Sequence, residues 1–553
     1  MKGIIRTIII ILLSIRAIAP LFQSGIFPVH DNVQVERVIV MGKALAQGQF
    51  PVRWVSDLGY GYGYPIFNFY GPLPYTIGGM MSSLGVDPII ATKWMYAIGM
   101  VGAGLTMGAL AAYAFGFWGG LLSAMLYIYA PYHAVQLYVR GSIGELWAYM
   151  WLPLIALGML KTNDLRMKWS GVVIGSIGLI GTILSHTIYG FISVGIVCLM
   201  SIGGIAIRMI QKNTEVWRVA KKQAIMIGIA LAISAFFWLP AFAEMGYTNV
   251  TKTIGGGADY KDHYICISQL WDSPWGFGGS TKGCVDGMSF KLGKIEWLAW
   301  CGILLACIWW WKNMKKYQIP ILSGNIIALI GLIGVLEVSK PLWDTIPFAS
   351  FIQYPYRLLP LLLLGSTFIS GATMVLPIAG WMKKIIFVLI CIGIAMTNIK
   401  LFIPQYIETP QSQTLASEEH VRFAASKISD EYLPKDIYIP KNKDERIIAS
   451  IMDSDTIRVQ DKKISDTNET FIIESFKNQE LEIKKAYFPG WEYSVDGRKV
   501  AYSIDHGLPH IHLGTGVYTI QIRLQNSSIR FIANAISAIG LLLFIFYGKK
   551  AIS

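Results

Sequence analysis

The sequence predicts an α-helical polytopic membrane protein of about twelve transmembrane helices, with a small extracytoplasmic β-rich domain near the C-terminus. Three observations predict it. The 553-residue chain is 54% hydrophobic and 15% charged, with a mean hydropathy of +0.49, which is more apolar surface than a soluble globule of this size buries. About twelve segments approach the roughly 20 apolar residues that a bilayer crossing needs. The lysines and arginines behind the net charge of +13 are gathered in short clusters between those segments, as membrane topology requires of cationic loops.

The segments are 3–22, 89–112, 117–130, 145–160, 170–184, 188–207, 222–241, 295–311, 319–336, 357–376, 384–402 and 529–547. The first lacks a clear small-x-small cleavage site and reads as a retained span rather than a signal peptide. Arg16 interrupts it, and either snorkels to the outer interface or faces a polar cavity inside the bundle. The cation clusters are Lys2/Arg6, Lys161/Arg166/Lys168, Arg208/Lys212/Arg218/Lys221/Lys222, Lys312/Lys315/Lys316, Lys383/Lys384 and Lys549/Lys550. With these spans every cluster falls on one side. The positive-inside rule makes that side cytoplasmic and puts both termini there, in a multi-pass protein of the cell membrane. Membrane lipids, and no nucleic acid, are the surroundings this charge pattern implies. The loops 23–88, 131–144, 242–294 and 337–356, with the region 403–528, face outward.

This organisation divides the chain into a transmembrane domain, 1–402, an extracytoplasmic β-rich domain, 403–528, and a last transmembrane helix with a cytoplasmic tail, 529–553. Pro404, Pro410, Pro434 and Pro440 mark irregular starts in the second. Trp491–Val495, then Asp496-Gly497, then Lys499–Ile504 read as a type I′ hairpin. Val517–Leu524 alternates with period two. Cys266 and Cys284 share one outward loop, where a disulfide is permitted and would close a Gly-rich stretch.

The outward loop 23–88 holds the candidate active site. It contains His30-Asp31, Glu36-Arg37, Lys43, Arg53-Trp54 and the run Gly59 to Tyr75, rich in Gly, Pro and aromatic residues and including Tyr64, Asn68 and Tyr70. Asp31 suits two roles. A carboxylate at the outer mouth of a helix bundle can deprotonate an acceptor hydroxyl or hold a divalent cation such as Mg or Mn; alternatively it caps a short helix over Val33 to Gln47. His30 can carry a proton, bind a ligand or simply hydrogen-bond. Arg37, Lys43 and Arg53 read as an anion site with guanidinium contacts to phosphate, or as partners of lipid headgroups. The aromatic residues make either a sugar-stacking platform or an interfacial belt.

Other polar residues cluster at the same outer face. The second outward loop supplies Arg140 and Glu145, the short turn Leu184–Thr187 supplies His186, and Gln353 to Arg357 supplies Tyr354 and Arg357. They can converge under the first loop, with Arg357 either gripping a diphosphate or anchoring a helix end. No Walker A loop, nucleophile elbow, H-E-x-x-H or dinucleotide-binding fingerprint is present, which removes support from ATP-driven transport and soluble-type hydrolysis.

His30-Asp31, Phe50-Pro51-Val52-Arg53-Trp54 and Gly63-Tyr-Pro-Ile-Phe67-Asn-Phe-Tyr70-Gly-Pro72-Leu73 resemble a family of bacterial and archaeal polytopic membrane proteins labelled "6-pyruvoyl-tetrahydropterin synthase-related". Tyr487-Phe-Pro-Gly490-Trp491, Gln353-Tyr-Pro-Tyr-Arg357 and Glu431-Tyr-Leu-Pro434 are similar to steps of the YfhO-like membrane proteins. The pterin label implies no pterin chemistry, since nothing supplies that enzyme's zinc-binding histidines. Proteins of this design resemble the GT-C glycosyltransferase superfamily. That resemblance implies a GT-C-like transmembrane fold and a sugar donor carried on polyprenyl phosphate. It further implies an envelope glycan, lipid or protein as acceptor, with Asp31 as the activating base and Arg37, Arg140 and Arg357 as candidates for gripping donor phosphate. Many such enzymes carry two adjacent acidic residues where this chain has His30-Asp31, which puts metal dependence in question. The rival readings are a transporter or flippase of lipid-linked saccharide, which the scarcity of charge within the spans disfavours, and a non-catalytic envelope assembly or binding protein.

Overall fold

The computed structural model describes residues 1–164, 166–167, 169–250, 259–346 and 349–552. Residues 251–258 of the expected loop 242–294, residues 347–348 of the loop 337–356 and Lys168 of the second cation cluster lie outside the described residues. Among the described residues, eight helices are long and apolar enough to cross a membrane, or nine if the pair Val216–Ile233 and Ala235–Tyr247, bent by 66°, forms one span. The shorter apolar helix Ser170–Ser185 accompanies them. The chain is therefore a multi-pass helical membrane protein with a C-terminal β region.

Two of the eight are folded back on themselves. The 41-residue helix Pro88–Ile128 breaks at Gly116, whose φ of +78° suits glycine. A Cβ on Gly120 would lie 2.8 Å from the Gly108 carbonyl oxygen, whereas twelve residues of straight helix would part them by about 18 Å. The segment Lys294–Val335 turns at Trp311–Tyr317, and the Trp300 indole N–H donates to Asn325 Oδ1 across the turn at 3.2 Å. The helix Ile143–Asn163 has Glu145 in its first turn and Asn163 at its far end, about 27 Å away. There Asn163 accepts from Arg208 at 3.0 Å, and Lys222 donates to the Met167 carbonyl at 2.5 Å. Two of the cation clusters thus meet at the end of the bundle opposite Glu145. Arg16 is exposed on the outside of its helix Lys2–Ile18, so it does not line an internal cavity.

Eight strands follow: β1 (Ile457–Ile464), β2 (Asn468–Ser475), β3 (Gln479–Glu482), β4 (Trp491–Val495), β5 (Arg498–Lys499), β6 (Ser503–Asp505), β7 (Leu508–Leu513) and β8 (Gly516–Leu524). They form an antiparallel sheet in the order β1-β2-β8-β4-β5 and a second in the order β3-β7-β6. β2 alternates buried and open positions, with Phe471 and Ile473 inward beside Ile520 and Ile522 of β8, the period-two signature of a half-buried strand. Asp496 and Gly497 take φ of +48° and +77°, as a type I′ turn requires. The returning strand is shorter than the sequence suggests. It ends at Lys499, and Ser503–Asp505 leaves to pair with β7 in the other sheet.

The first loop, 23–88, holds the β region to the bundle. Its Tyr60 and Tyr62 carbonyls accept from the Ile447 and Ala486 amides at 2.9 and 3.0 Å. Trp54 packs edge-on against Trp491, 5.3 Å between ring centroids. A buried ion pair, Lys485 to Glu469 at 2.6 Å, sits beside this contact with Lys485 4.5 Å from the Trp491 ring centroid. The Gly/Tyr run is thus largely covered by the chain's own later residues rather than presented as an open aromatic platform.

Candidate active site

The helix Gln34–Ala46 begins just after His30-Asp31, and its cap position is Val33, with no side-chain cap. Asp31 is therefore not a helix cap. Its backbone is docked elsewhere: the His30 and Asp31 amides donate to the Val139 and Arg140 carbonyls at 3.0 and 3.1 Å. Gly141 allows this approach. It takes φ of +62°, and a Cβ there would lie 2.3 Å from Val29. Gln34 Nε2 and the Tyr96 hydroxyl both donate to the Gly141 carbonyl, at 2.9 and 3.0 Å, and fix the same corner. Among the described residues the Asp31 carboxylate accepts no hydrogen bond and forms no ion pair.

Asp31 faces a cavity of about 710 Å³. His30, Arg37, Tyr70, Arg140, Glu145, His186, Tyr354 and Arg357, all anticipated from the sequence, line it too. Its floor is made of helix ends. Glu145, fully buried, is paired with Arg140 through both guanidinium nitrogens and with Arg357 Nε at 3.2 Å. Arg357 also donates to the Ile352 carbonyl and to Gln353 Oε1, at 2.8 and 2.7 Å, and lies 4.9 Å from the centroid of the Tyr354 ring. Arg140 lies 5.4 Å from the centroid of Tyr356, which stacks on Tyr354. His186 stands in the turn between two helices, where its Nδ1 accepts from the Tyr189 amide and its Nε2 lies 3.8 Å from Glu145. Burial pushes its imidazole down to about 3, with Arg357 and Arg140 adding to the shift against Glu145. His186 is neutral at physiological pH.

The opposite wall combines the first loop with residues 428–432. Arg37 Nη2 donates to Ser429 Oγ at 2.8 Å, and Ser429 donates to the Glu431 carboxylate at 3.1 Å. The Arg37 guanidinium lies over the Tyr70 ring at 4.3 Å, and its Nε is buried without a partner. Burial pushes the Glu431 carboxyl above its ordinary value, and nearby Arg37 opposes the shift. Tyr432 stacks flat on Phe69, 5.3 Å between centroids, and its amide donates to the Tyr64 hydroxyl at 3.1 Å. The roof is the loop joined by the Cys266–Cys284 disulfide, with Cα atoms 5.5 Å apart. His30 Nε2 donates to the Phe277 carbonyl there at 2.9 Å, which ties the first loop to the roof.

Four residues proposed from the sequence lie outside this lining, each for a reason of tertiary pairing. Lys43 is bound to Asp57. Arg53 donates to Asn68 Oδ1 at 3.0 Å and to the Phe236 carbonyl at 2.6 Å, while Asn68 donates to Glu244, the partner of Arg530 at 2.9 Å. This buried chain of contacts clamps the first loop to the last helix, Ser528–Ile552. Tyr64 is spent on the Tyr432 amide. Ser429, Glu431 and Tyr432 were not among the candidates. The Glu431–Pro434 motif was the available signal, but it lies almost 400 residues from Arg37 and says nothing of which loop it meets.

Among the described residues no three of His, Cys, Asp and Glu converge in a way that would hold a metal ion.

No family model matches the chain, and no curated protein matches it. Three solved structures similar to it are the following. The arabinofuranosyltransferase AftD from Mycobacteria is 14% identical with a TM-score of 0.43, over 74% of this chain and 27% of that one. The oligosaccharyltransferase of Archaeoglobus fulgidus in its apo form is 13% identical with a TM-score of 0.46, over 81% and 62%. The oligosaccharyltransferase AglB of Archaeoglobus fulgidus, in complex with an inhibitory peptide and a dolichol-phosphate, is 14% identical with a TM-score of 0.44, over 74% and 56%. The match thus spans between about a quarter and three-fifths of those chains' length.

Proposed function

We propose that the protein is a membrane glycosyltransferase of GT-C type. It transfers a sugar from a polyprenyl-phosphate-linked donor to a cell-envelope glycan, lipid or protein at the extracytoplasmic face. In this reading twelve segments cross the membrane, because both folded-back helices count twice and the bent pair and Ser170–Ser185 each count once. Both termini are cytoplasmic, the transmembrane domain is 1–402, and the β-rich domain, 403–528, is outside with the cavity. One observation carries the reading: a carboxylate without a partner, Asp31, faces a cavity that also holds Arg37, Arg140 and Arg357.

The chemistry follows from that arrangement. The acceptor oxygen forms a bond to the anomeric carbon while the bond from that carbon to the phosphate oxygen breaks, and its electron pair leaves with the polyprenyl phosphate. Asp31 takes the acceptor's proton, a contribution of about 10²- to 10⁴-fold. Arg140 and Arg357, held by Gln136, Gln353 and the Ile352 carbonyl as well as by Glu145, meet the charge developing on the phosphate. Fixed donors of this kind contribute about 10²- to 10³-fold.

The test is Asp31→Asn in the purified full-length chain in proteoliposomes, assayed with a panel of radiolabelled polyprenyl-phospho-sugars. Transfer should drop by about 10²-fold or more with no change in melting temperature, because Asp31 makes no side-chain bond whose loss would weaken the fold. Undiminished transfer would remove Asp31 as the base. Movement of intact lipid-linked saccharide across the vesicle, without bond cleavage, would replace the transferase with a transporter.

A further inference from the structure

The ionisable groups that line the cavity fall into two sets of opposite net charge. At the helix ends, two guanidiniums, Arg140 and Arg357, face one carboxylate, Glu145, and His186 is neutral, which leaves one net positive charge. At the wall built by the first loop and residues 428–432, two carboxylates, Asp31 and Glu431, face one guanidinium, Arg37, which leaves one net negative charge. The two sets also differ in saturation. Glu145 is consumed by its arginines and by Gln136 at 2.8 Å. Neither Asp31 nor Glu431 forms an ion pair among the described residues, and Ser429 is the one side-chain donor to Glu431 there. A carboxylate offers about four lone-pair sites, so most of the accepting capacity of both remains turned to the cavity. Arg37, 4% exposed, adds a buried Nε with no partner on the same wall. Tyr70 and Tyr432 present rings there as well.

Glu431 is rigidly held. Ser429 bridges it to Arg37, and the next residue is fastened to the first loop through the Tyr432–Phe69 stack and the Tyr64 hydroxyl. Its carboxylate is therefore presented at a fixed place beside Asp31 rather than on a mobile flap.

We propose that Glu431, together with Asp31, forms an acceptor-binding half-site that takes a neutral or amine-bearing polyhydroxylated acceptor and turns away acidic ones. This rests on the transferase reading and names the acceptor class of the same site. Ionised carboxylates accept strong hydrogen bonds from sugar hydroxyl and ammonium groups, and the aromatic rings offer faces to the sugar's C–H surface. An anionic acceptor meets two like charges and one guanidinium already engaged by Tyr70 and Ser429, and specificity of this kind comes from the repulsive element. The leaving phosphate belongs with Arg140 and Arg357, so donor and acceptor are sorted by charge within one cavity.

The test measures binding to the full-length protein in nanodiscs, without catalysis. The acceptor probes are phenyl β-glucoside, phenyl β-glucosaminide and phenyl β-glucuronide, three glycosides of similar size and different charge. Farnesyl phosphate probes Arg140 and Arg357. The glucoside and glucosaminide should bind about tenfold or more tightly than the glucuronide. In Glu431→Gln, which keeps the shape and removes the charge, this preference should shrink to about threefold or less, while farnesyl phosphate affinity stays within about twofold. Glu431→Asp should keep the preference. A glucuronide bound as well as the glucoside by the unmodified protein overturns the proposal, and this arm needs no variant to fold. A preference unchanged in folded Glu431→Gln overturns the assignment to Glu431. Glycoside preference intact with no farnesyl phosphate binding overturns the transferase reading and leaves the half-site standing.

Discussion

Replacing Glu145 by glutamine is expected to weaken the fold and tighten the grip on a prenyl phosphate at once. The carboxylate is fully buried and neutralises part of the charge of Arg140 and Arg357. Removing one partner from such a group costs about 3–5 kcal/mol, because the guanidiniums stay buried without their counter-charge. Gln136 and Tyr356 still hold Arg140, and Gln353 and the Ile352 carbonyl still hold Arg357, so the two side chains keep their places. A phosphate bridging them would lie two hydrogen-bond lengths from Glu145, or about 6 Å. At an effective dielectric of about 20, the repulsion it escapes when that carboxylate is lost is about 3 kcal/mol. Water and salt reduce this, leaving about a 10- to 100-fold gain in affinity. Calorimetric titration of farnesyl phosphate into the variant in nanodiscs reads the gain, and a melting curve reads the loss. Ligand should also recover part of the lost melting temperature, since it binds only the folded form. Unchanged or weaker affinity in a folded variant would show that the phosphate is not gripped by Arg140 and Arg357.

Two further outcomes follow from contacts outside the cavity floor. Glu244→Gln breaks the buried contact with Arg530, which also gathers Asn68 and Ser527. It should cost about 3–5 kcal/mol in stability, visible as a lower melting temperature, while the folded fraction retains its affinity for farnesyl phosphate. His420 binds Glu36 at 2.7 Å, and this hydrogen bond raises its pKa against the effect of partial burial. The raised folded value means that the pair's contribution is complete below the unfolded value of about 6.5 and is lost as pH rises through the folded value. Melting temperature should therefore fall more between pH 6 and pH 8.5 in the unmodified protein than in His420→Gln; equal slopes would refute the linkage.

Much of the cavity's lining was readable because polar residues at the ends of apolar helices have few places to go. Arg140, Glu145, His186 and Arg357 each interrupt or border a hydrophobic stretch, and burial without a partner is costly there. They meet on one another for that reason. The breaks near Gly116 and at Trp311–Tyr317 were also visible, as polar or glycine interruptions in otherwise continuous apolar runs. Lys43, Arg53 and Asn68 show the opposite case. They share the first loop with Asp31 and have the same local character, yet they are bound to Asp57, to the Phe236 carbonyl and to Glu244. Nothing local distinguishes a cation that serves a ligand from one that clamps two elements.

By itself the sequence determined the class of molecule, the order of its apolar helices and the presence of a hairpin-bearing β region. Those properties depend on hydrophobic length, charge position and turn chemistry, each written in a few neighbouring residues. Only the tertiary structure decided that Asp31 is no helix cap, that the Gly/Tyr run is a seat for the later strands, and that Glu431 joins Arg37 through Ser429. Those outcomes depend on which distant carbonyl, ring or carboxylate arrives opposite a given side chain, and a pairing across hundreds of residues leaves no local trace.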